Sequence, residues 1–341
     1  MKAAVFHGAG QVEVADVPRP ELEPDEVLIR VGYCGICGSD LEAYHVGMYE
    51  PGMIIGHEFA GTIEEIGPGV TGWQVGDRVT ANDAIPCGQC LPCTQGRLTD
   101  CESLTMIGVS ADGAMAEYCK ITARGLHRLP EGVSLRQGAL AEPLSVALHG
   151  VRQSRLKPGD YALVMGAGPI GLLTLQSALL GGARGVAVTE VDPVRSRLAA
   201  QLGATLVLDP TRSNVSVEML RFTGGKMPDI AYICTGAAAA FRDAISLVRK
   251  GGQVYILGLC TEPVEADFMS VALGNLCLEG SLAGWAEFPA AIDFIAQRRV
   301  NVEALVSHEI TLDEVPCGGF ERLCTAGSGA VKILVRIGGE G

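Results

Sequence analysis

The rhythm of apolar and polar positions changes near the middle of the chain. From Met1 to about Leu144, short β-rich runs recur between glycine turns, as at residues 27–31, 61–66 and 77–81, and they predict a partly closed β domain. From about Ser145 apolar strands and helical stretches alternate. Tyr161–Met165 reads as a strand, Pro169–Leu180 as a helix, Gly185–Thr189 as a strand and residues 193–202 as a helix, with further strands at 204–208, 230–234 and 254–257. Such alternation predicts a parallel sheet covered on both faces. After Trp285 the alternation stops, and Ile310, Leu312 and residues 331–337 read as strands returning to the first domain. The expected organisation is therefore residues 1–144 with 285–341 as one domain and 145–284 as the other, with a small-molecule site in the cleft between them.

Composition narrows the function. The formal charge of -13 sets net repulsion against nucleic acid and anionic membranes, so neither is an expected partner. The start, MKAAVFHGAGQVEV, has one Lys and breaks at Gly8 and Gly10, too early for the apolar region of a signal peptide. No stretch is long enough to span a bilayer, and the reading is cytoplasmic. Twelve cysteines in a reducing compartment argue for metal binding or catalysis over a disulfide framework.

Gly166, Gly168 and Gly171 in MGAGPIGLL lie between a predicted strand and a predicted helix, the context a dinucleotide-binding turn requires. The first glycine permits the turn, the second lets backbone approach a pyrophosphate, and the third lets helix and strand pack closely. Pro169 and Ile170 belong to the same turn, and Thr235 and Gly258 complete the expected cofactor contacts. Glu190 ends the next strand about 20 residues on, where a carboxylate accepts hydrogen bonds from a ribose diol and repels a 2′-phosphate. NAD is thus expected over NADP, although Arg195 is a basic group that softens the choice.

Two metal sites of different character are expected. Cys87, Cys90, Cys93 and Cys101 in CGQCLPCTQGRLTDC offer four soft thiolates in one loop, which suits a closed, tetrahedral structural zinc. Cys37 in GICGSD, His57 and Glu58 in GHE, and Glu142 in AEPLSVALH offer one thiolate, one imidazole and two carboxylates, dispersed as catalytic ligands usually are. That set leaves room for water or a substrate oxygen, and Cys34 competes with Cys37 for the thiolate role. Cys119, Cys234, Cys260, Cys277, Cys317 and Cys324 have no ligand spacing and read as small buried hydrophobes. His7, His127 and His308 read as packing or surface residues and His149 as structural, while Tyr44, Tyr49 and Trp285 either line a pocket or are simply packed.

In order along the chain, GICGSD, GHEFAG, VGDRV, the four-cysteine loop, AEPLSVALHG, GAGPIGLL and SHEITLDE resemble the medium-chain dehydrogenase/reductase superfamily. Within it they resemble the zinc-containing polyol dehydrogenases of the sorbitol and 2,3-butanediol type. The resemblance implies an α/β protein in which a GroES-like, partly closed β-barrel catalytic domain accompanies a Rossmann doubly wound parallel sheet. It implies Cys37 and His57 as ligands of a catalytic zinc, Glu58 as a close or exchanging ligand, and Glu142 as a ligand directly or through water. Ser39 matches the hydroxyl that passes the substrate proton onward, and Asp40 the carboxylate that orients the zinc-bound histidine. Many relatives carry histidine three positions after that serine; here Glu42 stands there, so Glu42, His45 or water would end the relay.

The expected activity is oxidation of a secondary alcohol of a polyol, diol or sugar alcohol. Zinc would polarise the hydroxyl, Ser39 would carry the proton away, and hydride would pass to NAD. The nearest alternative is an L-threonine 3-dehydrogenase or amino-alcohol dehydrogenase of the same mechanism, which needs a group for the amine or carboxylate. A zinc-stabilised NAD-binding sensor or scaffold is the non-enzymatic alternative. The glycine-rich region at residues 278–284 follows the last strand of the cofactor domain, and the resemblance implies that this edge pairs with a second subunit, hence a homodimer or homotetramer.

Overall fold

The computed structural model describes residues 1–339. The chain divides into two compact units, Met1–Ser145 with Ala283–Gly341, and Val146–Leu282.

The first unit is built on one sheet. Its strand order is Val306–Thr311, Lys332–Arg336, Glu26–Gly35, Glu58–Ile66, Arg78–Ala81 and Leu126–Arg128, with Tyr118–Thr122 also paired to Glu26–Gly35. The long strand Glu26–Gly35 is buried nearly throughout because the sheet folds over on itself, and its pairing with Glu58–Ile66 shifts register twice. Such irregularities bend strands, which is how an antiparallel sheet curls toward a barrel. The curl is incomplete, in keeping with a partly closed barrel. Phe6, Ile29, Phe59, Ile63 and Phe320 fill its interior.

A short ribbon, Ala84–Ile85 against Thr105–Met106, leaves this sheet and carries the cysteine loop. The tail beyond Trp285 contains a helix that the alternation reading leaves out, Phe288–Ala296. Phe288, Ala291, Ile292 and Ile295 form its buried stripe at helical spacing. Leu312 begins a 3-10 turn rather than a strand, because the strand at Ile310 ends at Thr311.

The second unit is a six-stranded parallel sheet ordered Leu206–Leu208, Gly185–Thr189, Tyr161–Met165, Ile230–Ile233, Gln253–Ile256 and Cys277–Gly280. Strand order reverses between Tyr161–Met165 and Ile230–Ile233, the switch point at which doubly wound sheets bind ligands. Pro at the first position starts helix Pro169–Leu180, which is buried along most of its length. Helix Pro193–Gln201 is capped by Asp192, whose carboxylate accepts from the N–H groups of Val194 and Arg195, an arrangement that contributes about 1 kcal/mol.

Candidate functional site

The loop at residues 87–101 gathers all four expected sulfurs within 4.8 Å of one another. Cys87 and Cys93 lie 4.0 Å apart and Cys90 and Cys101 3.8 Å apart. Four thiolates around tetrahedral zinc at about 2.3 Å stand about 3.8 Å from one another, so the spacing fits without rearrangement. The backbone N–H groups of Gln89 and Cys90 hold the Cys87 thiol down to about 6, whereas burial pushes Cys93 up to about 12. Only a cation reconciles four thiolates in that space.

Cys37, His57 and Glu58 form the second group within 4.8 Å. Cys37 caps helix Gly38–Val46, and its backbone N–H donates to Asp40 Oδ2 at 2.9 Å. His57 precedes strand Glu58–Ile66, and its Nδ1 faces Asp40 Oδ1 at 3.7 Å. Both of those atoms are buried without a hydrogen-bond partner. Orphaned buried polar atoms are rare, and a metal on the other ring nitrogen would draw the pair into a hydrogen bond. Burial works against protonation of His57, but Asp40 and Cys37 outweigh it and hold its pKa well above the ordinary value. That proton measures the negative potential a metal ion would meet. Cys34, left open as a competitor, is fully buried in the sheet core, with its Sγ turned to the Gly35 carbonyl.

Two expected ligands are placed differently from the simplest reading. Both oxygens of Glu58 engage Lys332 Nζ, at 2.7 and 2.5 Å, and Lys332 also donates to the Ile36 carbonyl at 2.9 Å. Each of these two side chains is 1% exposed. Glu142 is buried at the start of helix Ala141–Gln153 and lies outside the three-residue group. Burial first, and then the charge of Asp83, raise its carboxyl well above the usual range. Asp83 and Lys332 are the residues that sequence reasoning missed. A lone Lys in the apolar run VKILVRI was the available signal for the second; Asp83 offered none.

Ser39 Oγ lies 3.5 Å from His57 Nε2. Glu42 follows one turn later on the same helix and is half-buried. His45 is exposed and turned elsewhere, with Nε2 3.2 Å from Cys324 Sγ. Tyr49 is buried near Asp40, while Tyr44 and Trp285 are partly buried against the sheet core. Cys119 and Cys234 are buried as expected, but Cys260 and Cys277 are half-buried and Cys317 and Cys324 exposed, since their segments lie at the surface.

In the second unit Gly166 adopts φ +96°, a left-handed turn that other residues resist. A Cβ on Gly171 would strike the Gly166 carbonyl, whereas Gly168 faces open space. Gly258 packs against the backbone of Thr235, bringing both to the end of the sheet where Gly166 turns. Glu190 Oε2 accepts from the Ala167 N–H at 2.7 Å, and Oε1 from Val191 and Asp192 N–H at 2.8 and 2.9 Å. Pro169 and Ile170 open the helix after the turn, and Arg195 is half-buried in the next helix.

Comparison with known proteins gives the same reading from another direction. An alcohol dehydrogenase GroES-like domain matches residues 23–131, and a zinc-binding dehydrogenase domain matches residues 169–297. A sorbitol dehydrogenase of Bacillus subtilis is 32% identical over 344 residues, covering 98% of this chain and 97% of that protein. The crystal structure of 2R,3R-butanediol dehydrogenase from Bacillus subtilis superposes with a TM-score of 0.89 at 32% identity, covering 98% of this chain and 99% of that one. A putative zinc-binding dehydrogenase from Sinorhizobium meliloti 1021, solved bound to NADP, superposes at 0.91 with 34% identity and 98% coverage of each chain. With both domains matched in order and relatives above 30% identity along nearly the whole length, the chain belongs to the zinc-binding, GroES-like alcohol dehydrogenase family.

Proposed function

We propose that this chain oxidises a secondary alcohol of a polyol, diol or sugar alcohol, with NAD as hydride acceptor. The observation that carries the proposal is the grouping of half-buried Cys37 with buried His57 and Glu58, with the Ser39 hydroxyl 3.5 Å from the His57 ring. Residues 1–144 with 285–341 would supply catalysis, and residues 145–284 would hold the cofactor. When bound, zinc supplies Lewis acidity to the substrate hydroxyl and NAD supplies the hydride acceptor.

The chain's own groups do the rest. Cys37 and His57 would hold the catalytic metal, with Asp40 steadying the imidazole through Nδ1. Lys332 restrains Glu58, so Glu58 would ligate only by leaving that ion pair; Glu142 is the carboxylate left to approach directly or through water. Ser39 Oγ would accept the hydroxyl proton and pass it toward Glu42, its neighbour one helical turn on, or to water. His45, paired with Cys324, is poorly placed for that task. Cys87, Cys90, Cys93 and Cys101 would hold the structural zinc. The turn at Gly166, Gly168, Pro169, Ile170 and Gly171 would seat the pyrophosphate, Thr235 and Gly258 would border it, and Glu190 would receive the ribose diol with Arg195 nearby.

The unpaired edge of strand Cys277–Gly280 and the exposed Phe268, Met269 and Leu273 favour a homodimer or homotetramer. Sedimentation as a monomer at micromolar concentration would remove that part. Among the described residues no helix is long and apolar enough to cross a membrane, and free thiols throughout suit the cytoplasm. The deciding experiment measures NAD and NADP reduction across polyols, diols, aldoses and L-threonine, with and without chelator, beside a zinc count. Chelator-sensitive turnover with two zincs per chain is expected. Turnover indifferent to chelator, or one zinc without turnover, would overturn the reading.

A further inference from the structure

The His57 ring is held loosely by its neighbours. Nε2 stands 3.5 Å from Ser39 Oγ, Nδ1 stands 3.7 Å from Asp40 Oδ1, and Nδ1 has no hydrogen-bond partner. The direction of the side chain is therefore left to the backbone that carries it. On one side that backbone enters strand Glu58–Ile66, where Glu58 pairs with Gly35. On the other it is gripped by a segment that belongs to no strand of that sheet, residues 107–115.

Residues 112–115 run along residues 54–56 and close on them. Ile54 N–H donates to Asp112 Oδ1 at 3.0 Å, Gly113 N–H to the Ile54 carbonyl at 2.7 Å, Met115 N–H to the Ile55 carbonyl at 2.9 Å, and Ala114 N–H to the Gly56 carbonyl at 2.8 Å. The last of these bonds acts on the peptide group shared by Gly56 and His57. Two glycines make the grip possible. A Cβ on Gly108 or on Gly113 would collide with the Gly56 carbonyl oxygen. Gly56 itself, at φ +94°, has Cys34 Sγ 2.8 Å and Met115 Cβ 2.9 Å from where its own Cβ would stand. Backbone packed this closely leaves the peptide plane little room to tilt.

We propose that Gly108 and Gly113 are positioning residues for His57: by admitting residues 107–115 against the Gly56–His57 peptide, they aim the imidazole at the metal. The proposal rests on the dehydrogenase reading for the metal at His57 and deepens it. A methyl at either glycine would push the peptide aside, and a working ligand set tolerates displacements of only about 0.5 Å.

The test loads full-length wild type and variants with cadmium at both metal sites and follows them by cadmium NMR, in which a four-thiolate site and a mixed sulfur, nitrogen and oxygen site resonate apart. Gly113→Ala should shift the mixed-donor signal and leave the four-thiolate signal in place. The chelator concentration that empties the mixed-donor site should fall about 10- to 100-fold. Gly67→Ala is the control for packing damage alone. Gly67 follows the far end of the same strand, and its Cβ would meet the Glu23 carbonyl oxygen at 2.5 Å. That variant should lower the urea midpoint, as Gly113→Ala does, with both signals unmoved. Asp112→Ala, at an exposed residue and without a clash, loosens the same grip and should shift the mixed-donor signal by less; it decides the matter if Gly113→Ala does not fold. The proposal is overturned if Gly67→Ala shifts the mixed-donor signal as far as Gly113→Ala does, or if Gly113→Ala and Asp112→Ala both leave it in place. A wild type that shows only the four-thiolate signal sinks the catalytic-metal reading as well.

Discussion

The loop at residues 87–101 takes all four sulfurs from one short segment, whereas the group around His57 and Glu58 draws Cys37 from a helix cap and Lys332 from a distant strand. The loop is self-contained and half-exposed. The second group is mostly buried, and its carboxylate, Glu58, is paired with the buried Lys332. The difference shows how a chain divides two demands on a metal. A closed site can be written locally because it only has to hold, while a site that must admit a substrate needs the whole sheet to keep its mismatched charges in place.

The widest test of that contrast removes the loop's cation. Cys93→Ser should lower the zinc count from two to one. Structural zinc in isolated finger peptides contributes roughly 10–16 kcal/mol, so the loop should become protease-sensitive and unfold separately from the sheet. A loop that keeps its protection without metal would erase the distinction. Next in size is Lys332→Met, which leaves Glu58 buried and unpaired and should cost about 3–5 kcal/mol in urea unfolding. Adding Glu58→Gln should restore most of that. If the double variant is no better than the single, the pair is not what balances the cluster.

Ser39→Ala probes chemistry without touching the charges and should lower kcat about 100-fold, with zinc content and melting unchanged. The smallest effect serves as a control outside both sites. His127 stacks on Phe288, and burial lowers its pKa to about 4 from the ordinary 6.5. Between those values the unfolded chain binds the extra proton, so this contribution to stability is full above about pH 6.5 and declines toward pH 4. Urea midpoints at pH 5 and pH 7 should differ less in His127→Phe, which keeps the stack.

The same contrast explains what could be read from the residues alone. Four cysteines at close spacing and a glycine turn between strand and helix are local statements, and both are present in the fold as local geometry. Cys34 and Cys37 could not be separated until the strand placed one thiol inward and the helix cap placed the other beside His57. Glu58 meets Lys332 across 274 positions, a separation over which no pattern announces a partner. The helix Phe288–Ala296 is a different miss, since its apolar stripe at i, i+3, i+4 and i+7 was there to be found.

Glu190 carries a consequence for how such a protein could change over time. Its two oxygens clasp the N–H groups of Ala167, Val191 and Asp192, so the residue that would choose the coenzyme also fastens the turn that would seat it. Replacing it to welcome a phosphorylated ribose would release three donors at once, the one at Ala167 buried. Adaptation to the other coenzyme would therefore need a compensating substitution elsewhere in the turn, and single-step variants should be recovered less often than the chemistry of recognition alone would suggest.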